Sequence, residues 1–210
     1  MKTTRLIIVC GVPGAGKSTF ARRAVDHWSA IGFASETFAD ELGAAARTAS
    51  GDLSKEAIIH AYVAMGAAVA DALAANKLVV AVGSFRSEEQ RERFRDIAKR
   101  SGAGVTTLRI VCPIETAAKR IWSRLASGER GPNEQALRQI DAELNRATDI
   151  DLVLTNDSSV EHFDRSIDAV LEVLDGVPEH TASRAGSDQR PEKRATDETA
   201  VTRNGIEQKV

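Results

Sequence analysis

The sequence predicts an α/β sandwich: a mostly parallel sheet with helices on both faces. Three observations carry this prediction. Apolar, β-type runs alternate with helical patterns along the chain. The first run, LIIVC at 6–10, is wholly apolar, as a strand covered on both faces is. Directly after it, GVPGAGKST at 11–19 is a glycine-rich turn that opens an amphipathic pattern. Such alternation implies right-handed crossovers, with ligands gathering at the carboxyl ends of the strands.

Taken in order, the strands are predicted at 6–10, at 36–39 (a weaker run with Thr37 and Phe38), at 78–82 (LVVAV), at 107–112 (TLRIVC) and at 151–154 (DLVL). Helices are predicted at 17–31, 54–75, 88–101, 114–127, 134–147 and 160–174. Ser87 followed by Gln90, and Ser158 followed by Glu161, have the spacing of a capping box. Gly32 and Gly102 fall where helices stop and a left-handed residue is needed. From about Pro178 the chain has no aromatics, mixed charge and no periodic apolar face. The expected organisation is one domain over 1–176 and a disordered tail over 177–210.

Composition narrows the function classes. The 28 Lys and Arg nearly cancel the 30 Asp and Glu, so no basic footprint for duplex nucleic acid is expected. No apolar run is long enough for a signal peptide or a membrane span, which points to a cytoplasmic protein with no membrane partner. Cys10 and Cys112 each end a predicted strand and match no metal spacing; buried free thiols are expected. Oligomeric state is not legible.

The stretch Gly11, Val12, Pro13, Gly14, Ala15, Gly16, Lys17, Ser18, Thr19 has the spacing G-x-x-x-x-G-K-S. Each part has a reason. A loop that turns its backbone N–H groups toward anionic oxygens needs residues without a Cβ at several points. The helix from Lys17 offers unpaired N–H groups and the positive end of its dipole to the same oxygens. Lys17 brings a full charge to the β and γ phosphates, Ser18 a hydroxyl to Mg²⁺, and Thr19 reaches toward the α phosphate. A ligand-free glycine turn would share the spacing, but the flanking strand and helix are the context of a phosphate loop. ATP and Mg²⁺ are the expected cofactors.

The phosphate loop alone does not separate a kinase from a hydrolase or a switch. Taken together, GVPGAGKSTFARR, the Asp40 region, VVAVGSFRSEEQRERFRDIA and VCPIETAAKRIWSRL resemble the small P-loop kinase group. That group includes gluconate, shikimate and adenylylsulfate kinases, zeta-type toxins and polynucleotide kinase domains. The resemblance spans about residues 4–175 and implies a P-loop NTPase three-layer sandwich whose five parallel strands run in the order 2-3-1-4-5. It implies that Asp40 orients the acceptor hydroxyl, although an N-cap role would also account for an Asp there. Relatives often carry an Arg three positions on; here that position is Gly43, and Arg47 follows. Relatives also end the third strand with a magnesium-side carboxylate, where this chain has Val82 and Gly83. Mg²⁺ then rests on Ser18, the phosphates and Asp40, since it keeps several waters. Ser84 and Arg86 become candidate acceptor or phosphate contacts, whereas Arg91 and Arg93 also fit a solvated face paired with Glu88, Glu89 and Glu92.

KRIWSRLASGERGPNEQ has the content of a short cationic lid near 126–133. Arg120 and Arg124 share a helix face, and Arg130 lies in the loop; the Arg fork suits the transferred phosphoryl group. Asn156 after the last strand lies beside the adenine in similar proteins, or else serves the turn. The reading is a kinase that moves the γ-phosphate of ATP to a small-molecule hydroxyl or phosphate, with Lys17, Asp40, Arg120 and Arg124 as catalytic residues. The alternatives are an ATP-binding regulatory protein, on account of Val82, and a polynucleotide 5′-end kinase or toxin-like kinase.

Overall fold

The computed structural model describes residues 4–43, 46, 53–126 and 131–176. Its elements run β1 (Arg5–Cys10), α1 (Lys17–Trp28), β2 (Ile31–Ala34), α2 (Ser35–Glu41), α3 (Lys55–Ala74), β3 (Val79–Val82), α4 (Glu88–Arg100), β4 (Gly104–Val111), α5 (Ile114–Ala126), α6 (Glu134–Leu144), β5 (Leu152–Thr155) and α7 (Val160–Gly176). The five strands are parallel in the order β2-β3-β1-β4-β5, as the resemblance implied. The predicted tail over 177–210, the lid residues 127–130 with Arg130, and Arg47 lie outside the described residues.

β1 is the centre of the molecule. Leu6 to Cys10 are fully buried, because β3 and β4 flank β1 and helices cover both faces. Burying one such aliphatic side chain contributes roughly 1.5–3 kcal/mol. Arg5 at its start ties in the last helix, donating to the Leu174 carbonyl at 2.6 Å and to Thr106 Oγ1 at 3.0 Å.

The second strand lies earlier than predicted. Residues 31–34 pair with β3, Ile31 opposite Val79, and 35–41 form a helix. Thr37 and Phe38 have the right composition for a strand. Ser29, however, already ends α1 in the left-handed region (φ 51°), so the chain reaches the sheet edge two residues later, where Ile31 N–H bonds Leu78 C=O. Gly32 is therefore no helix stop. It sits in β2 close to α1, where a Cβ would approach Val25 Cγ2 to 3.1 Å. Gly102 does stop α4, at φ 65°.

The Ser87–Gln90 capping box forms with both bonds present. At α7 the capping hydroxyl belongs to Ser159, which accepts the His162 N–H, rather than to Ser158. α3 is, by length and composition, long and apolar enough to cross a membrane, in contrast to the expectation from the sequence. It nevertheless packs on the domain through Ala61, Tyr62, Met65, Val69 and Leu73, all buried.

Arg91 departs from the solvated-face reading. It is buried and donates to Asp149 through Nε (2.8 Å) and Nη2 (2.6 Å), while Nη1 reaches the Phe85 carbonyl at 2.7 Å. Arg95 joins the same carboxylate at 2.6 Å. Burial alone would raise the Asp149 carboxyl, but the two arginines outweigh it and hold it down at about 2. Cys10 and Cys112 are buried free thiols, and burial pushes Cys10 up to about 12.

Candidate functional site

The chain leaves the sheet at one edge in five places. Gly11 follows β1, Ser35 follows β2, Gly83 and Ser84 follow β3, Cys112 follows β4 and Asn156 follows β5. The predicted loop with Lys17 and Ser18 lies there, and Arg120 reaches it from α5; Asp40 and Arg124 lie further along α2 and α5, both exposed.

The loop 11–16 is backed by β4, α5, Asn156 and Phe163. Gly14 and Gly16 have φ 83° and 104°, which a side chain would strain. A Cβ at Gly14 would meet the Ala117 carbonyl at 2.7 Å, and one at Gly16 would meet Asn156 Nδ2 at 2.6 Å. The glycines thus let the loop press against α5 and the β5 end, which turns its open side outward. Gly11 N–H is directed to the Ser84 carbonyl at 3.4 Å, and Ala15 N–H to the Val12 carbonyl at 3.2 Å.

α1 begins directly from this loop with no side-chain cap and no acidic residue in its first turn. Its first N–H groups and dipole are therefore available to an anion. Lys17 is buried, and its Nζ donates to the Val12 carbonyl at 2.9 Å. Burial lowers its ammonium to about 8; the Glu36 carboxylate acts against this and the Arg124 guanidinium with it. A buried ammonium beside an uncapped helix start fits a nucleotide phosphate, which supplies the missing counter-charge. Ser18 is exposed in the first turn of α1, beside Lys17 at the same helix start. Among the described residues no group of three His, Cys, Asp or Glu side chains could hold a metal by itself.

Glu36 is the residue that sequence reasoning passed over. It lies in the first turn of α2, immediately beyond β2, and its charge acts on Lys17. Asp40 is four residues further along the same helix, about one turn away on the same face, and exposed. It sits at the end of α2, so it caps no helix start. The misplaced strand hid Glu36, because a carboxylate at 36 becomes the strand-end acid only when the strand stops at Ala34.

The two lid arginines separate. Arg120 faces the loop: its Nη1 donates to the Gly14 carbonyl at 3.1 Å and its Nη2 to Asn156 Oδ1 at 3.3 Å. Arg124, one turn later, is exposed and acts electrostatically on Lys17. Asn156 is buried; its Nδ2 donates to the Ala15 carbonyl at 2.8 Å, so it braces the loop. Val82 is buried between Val9 and Ala34 and brings no carboxylate to the edge. Arg86 pairs with Glu143 at 3.4 Å, while Arg93 is exposed.

A family model for the AAA domain matches residues 6–148. No curated protein matches the sequence. Among solved structures, the APS kinase of Mycobacterium tuberculosis, determined with AMPPNP and APS, is 19% identical, with 84% of this chain and 100% of that chain covered and a TM-score of 0.62. A gluconokinase from Sinorhizobium meliloti is 17% identical, with coverages of 83% and 95% and a TM-score of 0.58. A sugar kinase from Janibacter sp. is 19% identical, with coverages of 83% and 96% and a TM-score of 0.57. The chain is similar to all three in fold.

Proposed function

The chain belongs to the AAA domain family, and within it we propose that it is an ATP-dependent phosphotransferase acting on a small-molecule acceptor. One observation carries this reading. Lys17 is buried at the uncapped start of α1, and Glu36 stands in the first turn of α2, directly beyond β2, with its charge acting on Lys17. A hydrolase or switch needs the loop and its lysine. A carboxylate where a second substrate would approach adds a means of orienting a nucleophile.

The loop N–H groups and Lys17 hold the β and γ phosphates, and Ser18 ligates Mg²⁺, which would neutralise phosphate charge. Glu36, with Asp40 one turn beyond, orients the acceptor hydroxyl and takes its proton as the new oxygen–phosphorus bond forms and the bond to the ADP oxygen breaks. Arg124 compensates charge on the group in transit. Arg120 and Asn156 keep the loop in shape. Kinase folds among the solved relatives support the reaction class, and a net charge of −2 with no basic excess supports a small acceptor over a polynucleotide.

The test is transfer from γ-labelled ATP by the full chain to a panel of sugars, nucleosides, amino-sugar nucleotides and oligonucleotide 5′ ends. Label is expected on a small molecule, and none with Lys17→Ala. Tight ATP binding with transfer to nothing would favour a regulatory protein. Transfer to oligonucleotide ends alone would make it an end kinase.

A further inference from the structure

Three hydroxyls from different elements converge at the sheet edge beside the phosphate loop. Ser35 starts α2, Ser84 follows β3, and Tyr62 reaches across from α3. Tyr62 is buried. Its oxygen accepts the Phe85 N–H at 2.9 Å, lies 3.4 Å from Ser84 Oγ and engages the Ser35 hydroxyl. A Cβ on Gly83 would meet Tyr62 Oη at 2.5 Å and Ser35 Oγ at 3.0 Å. The phenol therefore fills space into which a strand-end side chain would project.

The surroundings hold this arrangement firmly. Phe85 is buried yet sits in the left-handed region, φ 43°, which strains a residue with a side chain. Tyr62 fixes its N–H and Arg91 its carbonyl. Edge-to-face rings lock it from the side, with centroids 5.0 Å apart for Tyr62–Phe85 and 4.9 Å for Phe85–Phe94. Backbone strain held by this many contacts is characteristic of functional positions. The Ser84 carbonyl meanwhile faces Gly11 N–H, linking the cluster to the phosphate loop.

A phenol has one hydrogen and two lone pairs. The Phe85 N–H takes one lone pair of the Tyr62 oxygen. Between Tyr62 and Ser84 either oxygen can donate, and serine hydroxyls rotate to suit their partners. Both serines are half-buried, so their outer sides are open. Each can therefore donate to a ligand or accept from it, which matches a hydroxyl, itself both donor and acceptor. A phosphate or carboxylate brings acceptors only, and an ammonium brings donors only. The nearby charges offset each other, Glu36 against Lys17 and Arg86 against Glu143.

We propose that Ser35, Tyr62 and Ser84 form a subsite for a neutral, hydroxyl-bearing acceptor of the polyol class, with Tyr62 positioning the two serines. The proposal rests on the phosphotransferase reading and narrows its acceptor.

The test uses the full chain with AMPPNP and Mg²⁺, and saturation-transfer NMR with two probe sets. The neutral set is glycerol, ribitol, glucose and myo-inositol. The charged set is glycerol 3-phosphate, gluconate and glucosamine. Acceptor and ATP KM values are measured in parallel with ATP. A neutral polyol is expected to bind, and Tyr62→Phe, which keeps the ring, to weaken it about tenfold with ATP KM unchanged. Ser84→Ala leaves the Phe85 bond intact and should do the same. Polyol binding equal in wild type and both variants, no polyol binding, or preference for the charged set overturns the subsite. Transfer to a charged acceptor would in that case leave the kinase reading standing. Polyol binding that depends on Ser84 without any transfer supports the subsite and overturns the kinase reading instead.

Discussion

Asn156 Nδ2 donates to the Ala15 carbonyl at 2.8 Å, joining the end of the last strand to the middle of the phosphate loop across 141 residues of sequence. Its Oδ1 accepts from Arg120, so a single amide orients both the loop and the arginine on α5. Asn156→Asp keeps the oxygen for Arg120 and replaces the donor with a second acceptor facing a carbonyl. A buried pair broken in this way costs about 1–3 kcal/mol. A thermal melt should show lower stability, and calorimetry should show ATP binding weakened by about tenfold. An unchanged ATP affinity would mean that the loop holds its shape without Asn156.

Lys17 makes nucleotide binding pH-dependent. Its free ammonium titrates near 8, lowered chiefly by burial. Phosphate charge favours the protonated form, so binding raises that pKa and takes up a proton wherever the free lysine is partly neutral. Proton uptake should be small at pH 6 and approach one per site near pH 9, and affinity should fall as pH rises through 8. Calorimetry in buffers of different ionisation enthalpy measures this. Lys17→Met should abolish both the uptake and the pH slope.

Glu36 and Asp40 compete for the acceptor-orienting role. Glu36→Gln should lower kcat by at least about tenfold with the ATP KM unchanged, since a positioned base contributes roughly 10²–10⁴. Asp40→Asn, one turn further from β2, should lower it by less than about threefold. Steady-state kinetics with the acceptor identified in the transfer assay decides between them. The reverse order would return the role to Asp40.

The Arg91–Asp149–Arg95 cluster should give the fold an acid limit. Asp149 titrates at about 2 in the folded chain against an ordinary value of 3.8. A depressed carboxyl contributes its stability above the unfolded value, here about 2 kcal/mol, and loses it as pH falls from about 4 to about 2. Urea midpoints between pH 2 and 7 should show this decline. Asp149→Asn should remove it and cost about 3 kcal/mol at neutral pH, because Arg91 stays buried without its carboxylate.

The phosphate loop was legible before the fold was known. It is a local device of closely spaced glycines, lysine and serine, so its spacing alone predicted the loop that the structure shows between β1 and α1. Strand order followed from the resemblance, and Ser87–Gln90 from a three-residue spacing. Asn156, Arg91 and Glu36 were less legible, because their roles depend on partners 141, 58 and 19 positions away.

The sequence by itself determined the alternation, the buried central strand and the loop. These are written in periodicity and short-range spacing, which the backbone reads directly. Only the tertiary structure decided that the second strand ends at Ala34, that Glu36 lies close enough for its charge to act on Lys17, and that Arg120 braces the loop while Arg124 stays exposed one turn later. It also decided that Tyr62 lies over Gly83 with Ser35 and Ser84 beside it. The physical reason is the parallel sheet. Its crossovers carry residues far apart in sequence to one edge, and which of them meet there depends on where each strand ends.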